Sequence, residues 1–344
     1  MKISKILQED FHEIEHKYNF AQLKNKSIFV TGATGLLGSQ ILQFLSYLNE
    51  YKNYNIKLYG LVRSMEKAER IFGQNNKMIS LLIGDVLDLP TIDFPIDYVI
   101  HGASITSSKD FISKAVETID IAVNGTLNML RFANEKKVKS FVYLSSMEAF
   151  GVTDGKGEVR EEDLGYIDIT SPRSSYMESK RMCENLCVCF AVEYGLDVKS
   201  VRLAQTLGAG IDYNDTRVAA YFARSVIEGT DIVLKTEGKT KRPILYSADA
   251  ITAILTVLLK GEKGNVYTAA NPSAFLTIRE TAEMIVEKIA ENKIRLNFDI
   301  KEVPTEYAPN LNLNLNVDKL SSLGWKPEFG LEESYRRMII DMKQ

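Results

Sequence analysis

The sequence predicts an α/β protein with a doubly wound parallel sheet and a smaller C-terminal α+β region. The first observation is alternation, because apolar strand patterns and helical patterns follow one another from residue 28 to about residue 205. This alternation is typical of a parallel sheet covered by helices on both faces. The second is a change after residue 205, where shorter strands interleave with helices. The third is size, since 344 residues with 45% hydrophobic content can bury a large core.

The predicted elements divide the chain into three parts. Residues 1–25 mix charged and apolar residues and predict a helical extension. Residues 26–205 form the sheet domain, and residues 206–344 form mainly the C-terminal region, with segments near 240–260 returning to the sheet. The expected strands are 28–30, 56–62, 78–83, 98–101, 141–145 and 198–203, then 231–235, 243–246 and 266–267. The expected helices include 111–137, 176–194 and 277–291.

A glycine-rich turn follows the first predicted strand. Gly32, Gly35 and Gly38 stand three residues apart and are followed by apolar residues at helical spacing. Glycines there let the backbone approach a pyrophosphate, whose charge the helix N-terminus stabilises. Although the spacing is GxxGxxG rather than GxGxxG, the turn predicts a Rossmann-type dinucleotide site. The residues between the glycines belong to the same predicted cradle: Thr34, Leu36 and Leu37.

Tyr176 and Lys180 are four residues apart in a predicted helix, so their side chains share one face. A tyrosine with its ordinary pKa of about 10 is a poor base near neutrality. A neighbouring ammonium group favours the phenolate, so the pair predicts a proton-transfer role for Tyr176.

Composition excludes several partners. A net charge of −3 gives no basic field, so nucleic acid is not expected. No stretch of 18 apolar residues predicts a membrane span, and a cytoplasmic location is expected. Cys183, Cys187 and Cys189 are expected to be small buried helix residues in a reducing compartment. They match no zinc pattern and no histidine is near them, so no metal site is predicted.

These residues resemble the extended short-chain dehydrogenase/reductases that modify nucleotide sugars. The resemblance runs from about residue 26 to residue 340, and the segments at 171–181 and 214–218 are most like UDP-glucuronate decarboxylases. The motifs that carry it are TGATGLLG at 31–38, GDVLD at 84–88, HGAS at 101–104, SSMEAFG at 145–151, SPRSSYMESKR at 171–181, VRLAQTLGAG at 201–210, NDTRV at 214–218, RPILYSADA at 242–250 and LGWKPEFGLEE at 323–333.

The resemblance implies an NAD(P) cofactor and gives residues roles in binding it. Asp85, followed by Val86, is expected at the adenine, Ala103 at the nicotinamide, and Lys180 at the ribose. NAD-using relatives have Asp where this chain has Arg63, and an arginine accommodates the 2′-phosphate of NADP. NADP is therefore slightly favoured over NAD, although Arg63 stacking on the adenine would leave NAD as the cofactor.

The resemblance also implies the catalytic residues. Tyr176 is expected to take the proton of a sugar hydroxyl, Lys180 to lower the pKa of Tyr176, and Ser146 to bind the same sugar oxygen. Glu148 is expected to move a proton at C5. Dehydratases have an acidic residue where this chain has Met147, whose thioether cannot donate a proton, so sugar dehydration is disfavoured.

Four further residues are expected to bind the substrate. The resemblance places Arg242 and Arg217 at its diphosphate, a group suited to planar guanidinium ions. Arg173 is a candidate for holding a uronate carboxylate. Gln205 stands where the family usually has Asn, which indicates a pocket that differs from those of well-known members.

The function expected from this resemblance is NAD(P)-dependent modification of a nucleotide-linked sugar. The leading version oxidises C4 transiently, completes an epimerisation or decarboxylation, and then reduces the sugar again. One alternative is an NADPH-dependent reductase of a nucleotide-linked keto sugar or ketose. Another is a non-catalytic cofactor-sensing protein on the same fold. The resemblance also implies a homodimer formed by the helices near 111–136 and 176–194.

Overall fold

A computed structural model of the chain describes residues 3–74, 76–153, 157–300 and 312–344. It confirms the predicted α/β class with its parallel, doubly wound sheet.

The strands of these residues, in chain order, are β1 (Ser27–Thr31), β2 (Lys57–Val62), β3 (Ile79–Ile83), β4 (Tyr98–His101), β5 (Ser140–Ser146), β6 (Val198–Leu203), β7 (Gln205–Leu207), β8 (Ile232–Leu234), β9 (Lys241–Tyr246), β10 (Val266–Ala269), β11 (Phe275–Thr277) and β12 (Leu296–Phe298). The α-helices are α1 (Lys5–Lys17), α2 (Leu36–Lys52), α3 (Met65–Phe72), α4 (Asp110–Ser113), α5 (Ala115–Glu135), α6 (Ser174–Glu193), α7 (Val218–Glu228), α8 (Ser247–Lys260), α9 (Ile278–Met284), α10 (Asp318–Ser321) and α11 (Leu331–Met342).

The main sheet is parallel, with strand order β10-β6-β5-β4-β1-β2-β3. Strand order reverses between β1 and β4, and ligands of such sheets bind outside the carboxyl ends of the strands at this point. All five residues of β1 are buried because helices cover both faces. Ile28 and Val30 face one apolar cluster and Phe29 faces the other.

Helices on the two faces bury these clusters. On one face, α2 and α8 pack beside each other, and α8 contacts β5 and β6. On the other face, α5 and α6 pack together over the strands, where Cys183 and Cys187 are buried with Phe190. Cys189 is exposed on α6, so its expected burial is wrong, because it points away from the sheet.

The C-terminal region adds two small sheets, β11-β9-β7 and β12-β8. Strand β10 was expected as a two-residue strand, and it is a four-residue strand that pairs with the open edge of β6 in the main sheet. The helix expected over 111–137 is interrupted at Lys114, whose backbone leaves the helical region between α4 and α5. The helix expected over 277–291 starts from a Thr277–Glu280 capping box and continues from Met284 as a π-helical turn, Ile285–Ile289.

The N-terminal helix α1 packs against α8 and α11. Its buried face comprises Ile6, Leu7, Phe11 and Ile14, and it also buries the carboxylate of Asp10. In the residues that the structure describes, no helix is both long and apolar enough to cross a membrane.

Candidate active site

The glycine-rich turn joins the carboxyl end of β1 to the N-terminus of α2. Gly32 has φ +68°, and a Cβ atom added to it would lie 2.7 Å from the backbone of Gly102 in the turn after β4. A Cβ on Gly38 would lie 2.2 Å from the Gly32 oxygen. The first intrahelical bond is made by the Ser39 amide to the Gly35 carbonyl, so the preceding amides of α2 remain free for an anion. This cradle fits the pyrophosphate of a dinucleotide.

The turn after β4 is tied to this cradle by a histidine that sequence reasoning did not select. His101 is fully buried, with Nδ1 2.6 Å from Thr31 Oγ1 and Nε2 3.1 Å from Thr126 Oγ1. Thr31 Oγ1 also accepts a hydrogen bond from the Ala103 amide at 3.2 Å. Burial, followed by the charge of Lys180, lowers the pKa of His101 to about 3, so the ring is neutral. The histidine therefore holds Ala103 beside the glycine-rich turn.

Arg63, Asp85 and Val86 lie beyond the carboxyl ends of β2 and β3. Arg63 is exposed and makes no hydrogen bond or ion pair with the described residues, while its neighbour Ser64 caps α3. Asp85 accepts a hydrogen bond from the Leu87 amide at 2.9 Å. Val86 is buried against Gly125 of α5. The predicted adenine-side residues thus follow neighbouring strands at one edge of the sheet.

Tyr176 lies in the first turn of α6, opposite the end of β5. Ser146, the last residue of β5, lies close enough to the Tyr176 phenol to oppose the rise in its pKa. The Tyr176 ring stacks on Phe111 with centroids 4.2 Å apart and planes 12° apart. Phe111 is a second residue that sequence reasoning missed, because it comes from the separate helix α4. This stacking fixes the plane of the Tyr176 ring.

The electrostatics of Tyr176 correct the expectation that Lys180 lowers its pKa. Burial and then the charge of Glu148 raise the pKa of Tyr176, while the nearby Ser146 hydroxyl and the charges of Arg173 and Arg217 oppose this. Lys180 Nζ instead donates to the Leu144 carbonyl at 2.8 Å and lies 5.4 Å from the Tyr176 ring centroid. Burial lowers the pKa of Lys180 itself to about 8.

Arg173 and Glu148 form an ion pair beside the tyrosine. Arg173 Nη2 donates to Glu148 Oε2 at 2.8 Å, and the guanidinium lies over the Phe111 ring, 4.9 Å from its centroid. The side chain of Arg173 is only 10% exposed, and its Nε and Nη1 atoms are buried with no hydrogen-bond partner in the described part of the chain. Because buried charged donors are normally paired, these two atoms indicate a ligand that carries acceptor oxygens.

Arg242 and Gln205 line a narrow cleft between the C-terminal strands and helices. Arg242 lies on β9 and Gln205 starts β7, while the fully buried Tyr335 enters the cleft from α11. Burial lowers the pKa of Arg242, while the charge of Glu148 raises it and that of Arg173 lowers it. The guanidinium of Arg242 therefore lies within electrostatic range of Glu148 and Arg173.

Arg217 is less available than predicted. Its Nε and Nη2 atoms form a two-point ion pair with Asp215, at 3.0 and 2.7 Å. The side chain is 41% exposed. The predicted site residues thus converge at the carboxyl edge of the sheet, but the guanidinium of Arg217 is already paired. In the described part of the chain, no group of three His, Cys, Asp or Glu side chains is arranged to hold a metal ion.

Comparisons with known proteins show the family and the fold of the chain. The model of the NAD dependent epimerase/dehydratase family matches residues 28–270. The chain is similar to UDP-glucuronic acid decarboxylase 1 of Danio rerio, with 25% identity covering 97% of this chain and 78% of the relative. The fold is similar to that of DesIV, a dTDP-glucose 4,6-dehydratase from Streptomyces venezuelae with NAD bound (TM-score 0.76, 21% identity, 92% of this chain and 97% of that one). It is also similar to that of RMD from Pseudomonas aeruginosa complexed with NADPH (TM-score 0.72, 22% identity, 93% and 99% covered).

Proposed function

The chain belongs to the NAD-dependent epimerase/dehydratase family and is an enzyme of the extended short-chain dehydrogenase/reductase type, and we propose that it modifies a nucleotide-linked sugar by tyrosine-assisted hydride transfer. The observation that carries the proposal is the group around Tyr176. Tyr176 stands four residues before Lys180, close to the hydroxyl of Ser146. It also lies beside Arg173, two of whose nitrogens have no partner among the described residues. These groups suit a hydroxyl that loses its proton while its carbon is oxidised.

In the proposed reaction, the bound dinucleotide accepts a hydride from the sugar and later returns it. Tyr176 takes the proton of the C4 hydroxyl, and Ser146 donates a hydrogen bond to the same oxygen. Lys180 supplies positive charge near the Tyr176 ring and is expected to hold the ribose of the dinucleotide. The Gly32–Gly38 cradle, with Thr34, Leu36 and Leu37 in the same turn, binds the pyrophosphate. The adenine end is assigned to Asp85 and Val86, and the nicotinamide end to Ala103.

The step between oxidation and re-reduction is proposed at C5. A C4 ketone turns the C5 carboxylate of a uronic acid into a β-keto acid, which loses carbon dioxide readily. Arg173 binds this carboxylate through its unpaired nitrogens, and Glu148 moves the proton at C5 in either decarboxylation or epimerisation. Met147 is buried and has no transferable proton, which argues against dehydration.

A second candidate function is an NADPH-dependent reductase of a nucleotide-linked keto sugar or ketose. Arg63 favours it, because an exposed, unpaired arginine beyond β2 suits the 2′-phosphate of NADP. The raised pKa of Tyr176 also favours it, because a protonated phenol is ready to donate in the reductive direction. Because of Arg63, we favour NADP slightly over NAD as the cofactor.

The proposed assembly is a homodimer formed by α5 and α6. Both helices carry apolar side chains that stay exposed, with Val116 and Ile119 on α5 and Met182 and Val192 on α6. Exposed apolar surface of this kind marks an interaction face. Sedimentation of the wild type against Met182→Glu tests it, with a dimer converted to a monomer as the expected result.

The dinucleotide that the purified protein carries discriminates the two functions. Denaturing the protein releases it for identification, and stoichiometric NAD supports the retained-hydride reaction over the reductase. An empty site that binds NADPH supports the reductase instead. A thermal-shift screen of UDP-, CDP-, GDP- and dTDP-sugars then identifies the substrate, because a bound ligand raises stability by mass action. No stabilisation by any nucleotide sugar would contradict both functions.

A further inference from the structure

Two histidines of the N-terminal helix α1 direct ring nitrogens at each other. His12 and His16 are four residues apart, so they share one face of the helix. Their Nε2 atoms are 3.1 Å apart while their ring centroids are 4.3 Å apart, so the rings approach each other through these nitrogens. Both residues are exposed, and the side chain of His16 is 60% exposed. The pair therefore presents two neighbouring imidazole nitrogens to solvent.

The spacing of these nitrogens fits two adjacent ligands of one metal ion. Imidazole nitrogens bind zinc at about 2.0–2.1 Å, and two nitrogens 3.1 Å apart then subtend roughly 100° at the ion. This angle lies between the values for octahedral and tetrahedral coordination, which are about 90° and about 109°. In the hydrogen bond between the rings, one Nε2 carries the hydrogen. A tautomer shift that moves this hydrogen to Nδ1 frees both Nε2 lone pairs without the loss of a proton.

The charges around the pair favour a cation only weakly. Glu15 Oε2 lies 4.0 Å from His16 Nε2, but Lys52 Nζ pairs with the same oxygen at 2.8 Å. The exposed Glu9, one turn before the first histidine, faces Lys5 at 3.7 Å. Since each carboxylate has a lysine partner, affinity depends on coordination by the imidazoles. Imidazole ligands suit Cu²⁺, Ni²⁺ and Zn²⁺, whereas Mg²⁺ and Ca²⁺ prefer oxygen ligands.

The run from His12 to His16 reads HEIEH and matches the H-E-x-x-H pattern of zinc peptidases. In those enzymes the glutamate is the general base and a third protein ligand completes the zinc site. Here Glu13 Oε1 accepts a hydrogen bond from Arg337 Nη2 at 2.6 Å, so α11 holds this carboxylate. Within the described ranges, no third His, Cys, Asp or Glu side chain completes the site. The pair therefore suits reversible binding of an ion that keeps water in its other positions, and not hydrolysis.

We infer that His12 and His16 form a binding site for a divalent transition-metal ion, Cu²⁺, Ni²⁺ or Zn²⁺. The inference departs from the expectation of no metal site, which rested on the cysteines of α6. It is independent of the proposed function, because no residue assigned to the dinucleotide or the sugar belongs to α1. Two ligands one turn apart reach the same ion only while the helix is formed, so bound metal stabilises α1.

Calorimetric titration of the untagged protein with nickel chloride tests the inference. Cys189→Ser serves as the background, since the exposed Cys189 thiol also binds such ions. His12→Gln and His16→Gln should each lower the Ni²⁺ affinity about tenfold or more, because a single imidazole cannot chelate. Combining His16→Gln with Lys17→His is the matched control. It keeps two imidazoles but sets them five residues apart and off the shared face, so it should lose the same affinity.

Nuclear magnetic resonance gives a second readout, because the chain contains three histidines. Zn²⁺ should shift the imidazole signals of His12 and His16 and leave those of the buried His101 in place. An affinity for Ni²⁺ within twofold of the background protein in either single variant would overturn the inference. It would also be overturned by a control that binds Ni²⁺ as tightly as the background protein, or by a background protein that does not bind Ni²⁺.

Discussion

Arg173 donates one hydrogen bond to Glu148, over 2.8 Å, and its two other guanidinium nitrogens are buried with no partner among the residues that the structure describes. The pair lies beside the stacked rings of Tyr176 and Phe111. A buried arginine with unused donors is costly unless a ligand satisfies them. The arrangement thus accounts for why a carboxylate-bearing sugar is the preferred substrate class in the proposed function.

Arg173→Lys should weaken binding of a uronate-bearing nucleotide sugar about tenfold or more. Lysine keeps the charge but replaces the planar donors with a single ammonium group, and hydrogen bonds between charged groups carry the larger share of such affinity. Titrations with UDP-glucuronate and UDP-glucose measure the effect, and the affinity for the neutral sugar should change little. Arg336→Lys, on the exposed face of α11, serves as the control. Equal losses for the two sugars would remove Arg173 from carboxylate binding.

Glu148→Gln should separate oxidation at C4 from chemistry at C5. The amide cannot transfer a proton, so solvent deuterium should no longer enter the product at C5. Loss of the Glu148 charge also removes one cause that raises the pKa of Tyr176, so single-turnover oxidation should persist. Mass spectrometry of products formed in deuterated water gives the first readout. Glu178→Gln, at a half-buried position of α6, should leave deuterium incorporation as in the wild type. Unchanged incorporation in Glu148→Gln would show that another group moves the proton.

Arg63→Asp should weaken NADPH binding far more than NADH binding. The new carboxylate repels the 2′-phosphate and can accept hydrogen bonds from ribose hydroxyls. Fluorescence titration with both dinucleotides measures the ratio of the two affinities, which should change by at least tenfold. Arg70→Asp is the control, since Arg70 is also exposed but lies within α3. A parallel change in both affinities would mean that Arg63 contacts a part common to the two dinucleotides.

Asp249→Asn should flatten the pH dependence of stability between about pH 4 and pH 7. Burial raises the pKa of Asp249 to about 7, although its oxygens accept hydrogen bonds from the Glu328 and Phe329 amides. Because the pKa of Asp249 is higher in the folded state, the protonated carboxyl stabilises the fold. This contribution is fully present below the unfolded pKa and is lost as the pH rises through 7. Across this window the folded state binds the extra proton, so the wild-type free energy of unfolding should fall by up to about 1.4 kcal/mol per pH unit.

Denaturant unfolding at several pH values measures this slope. The Asn variant lacks the titrating group, so its slope should be smaller than that of the wild type even if its absolute stability is lower. Burial also raises the pKa of Asp10, to about 6. Its contribution to the slope is the same in both proteins and therefore cancels in the comparison. Parallel curves for the two proteins would contradict the assignment of a raised pKa to Asp249.

The sequence was sufficient for the parts of the fold that depend on local pattern. The strand, glycine turn and helix at residues 27–52 follow one another directly in the sequence. The Tyr176–Lys180 pair likewise lies within one turn of a helix. Strand β10 was harder, because its membership of the main sheet depends on the open edge of β6, which is distant in the chain. The interruption at Lys114 was likewise hidden, since the apolar pattern continues across it.

Residues brought in by tertiary packing could not be predicted. Phe111 and Tyr335 stand among polar and charged residues in the sequence, and only the fold places one against Tyr176 and the other in the cleft with Arg242. The pKa of Tyr176 was expected to fall because of its lysine neighbour. Burial outweighs that effect, and burial of a single side chain cannot be obtained from helical spacing.

The most direct test is the single-turnover rate of hydride transfer in Tyr176→Phe, followed through nicotinamide absorbance with saturating sugar nucleotide. The fold should persist, because the phenylalanine ring still stacks on Phe111. Loss of the phenol should lower the rate by roughly 100- to 10,000-fold, the range for general acid–base groups, with dinucleotide affinity nearly unchanged. A rate within a few-fold of wild type would show that the proton leaves by another route, and the proposed role of Tyr176 would be wrong.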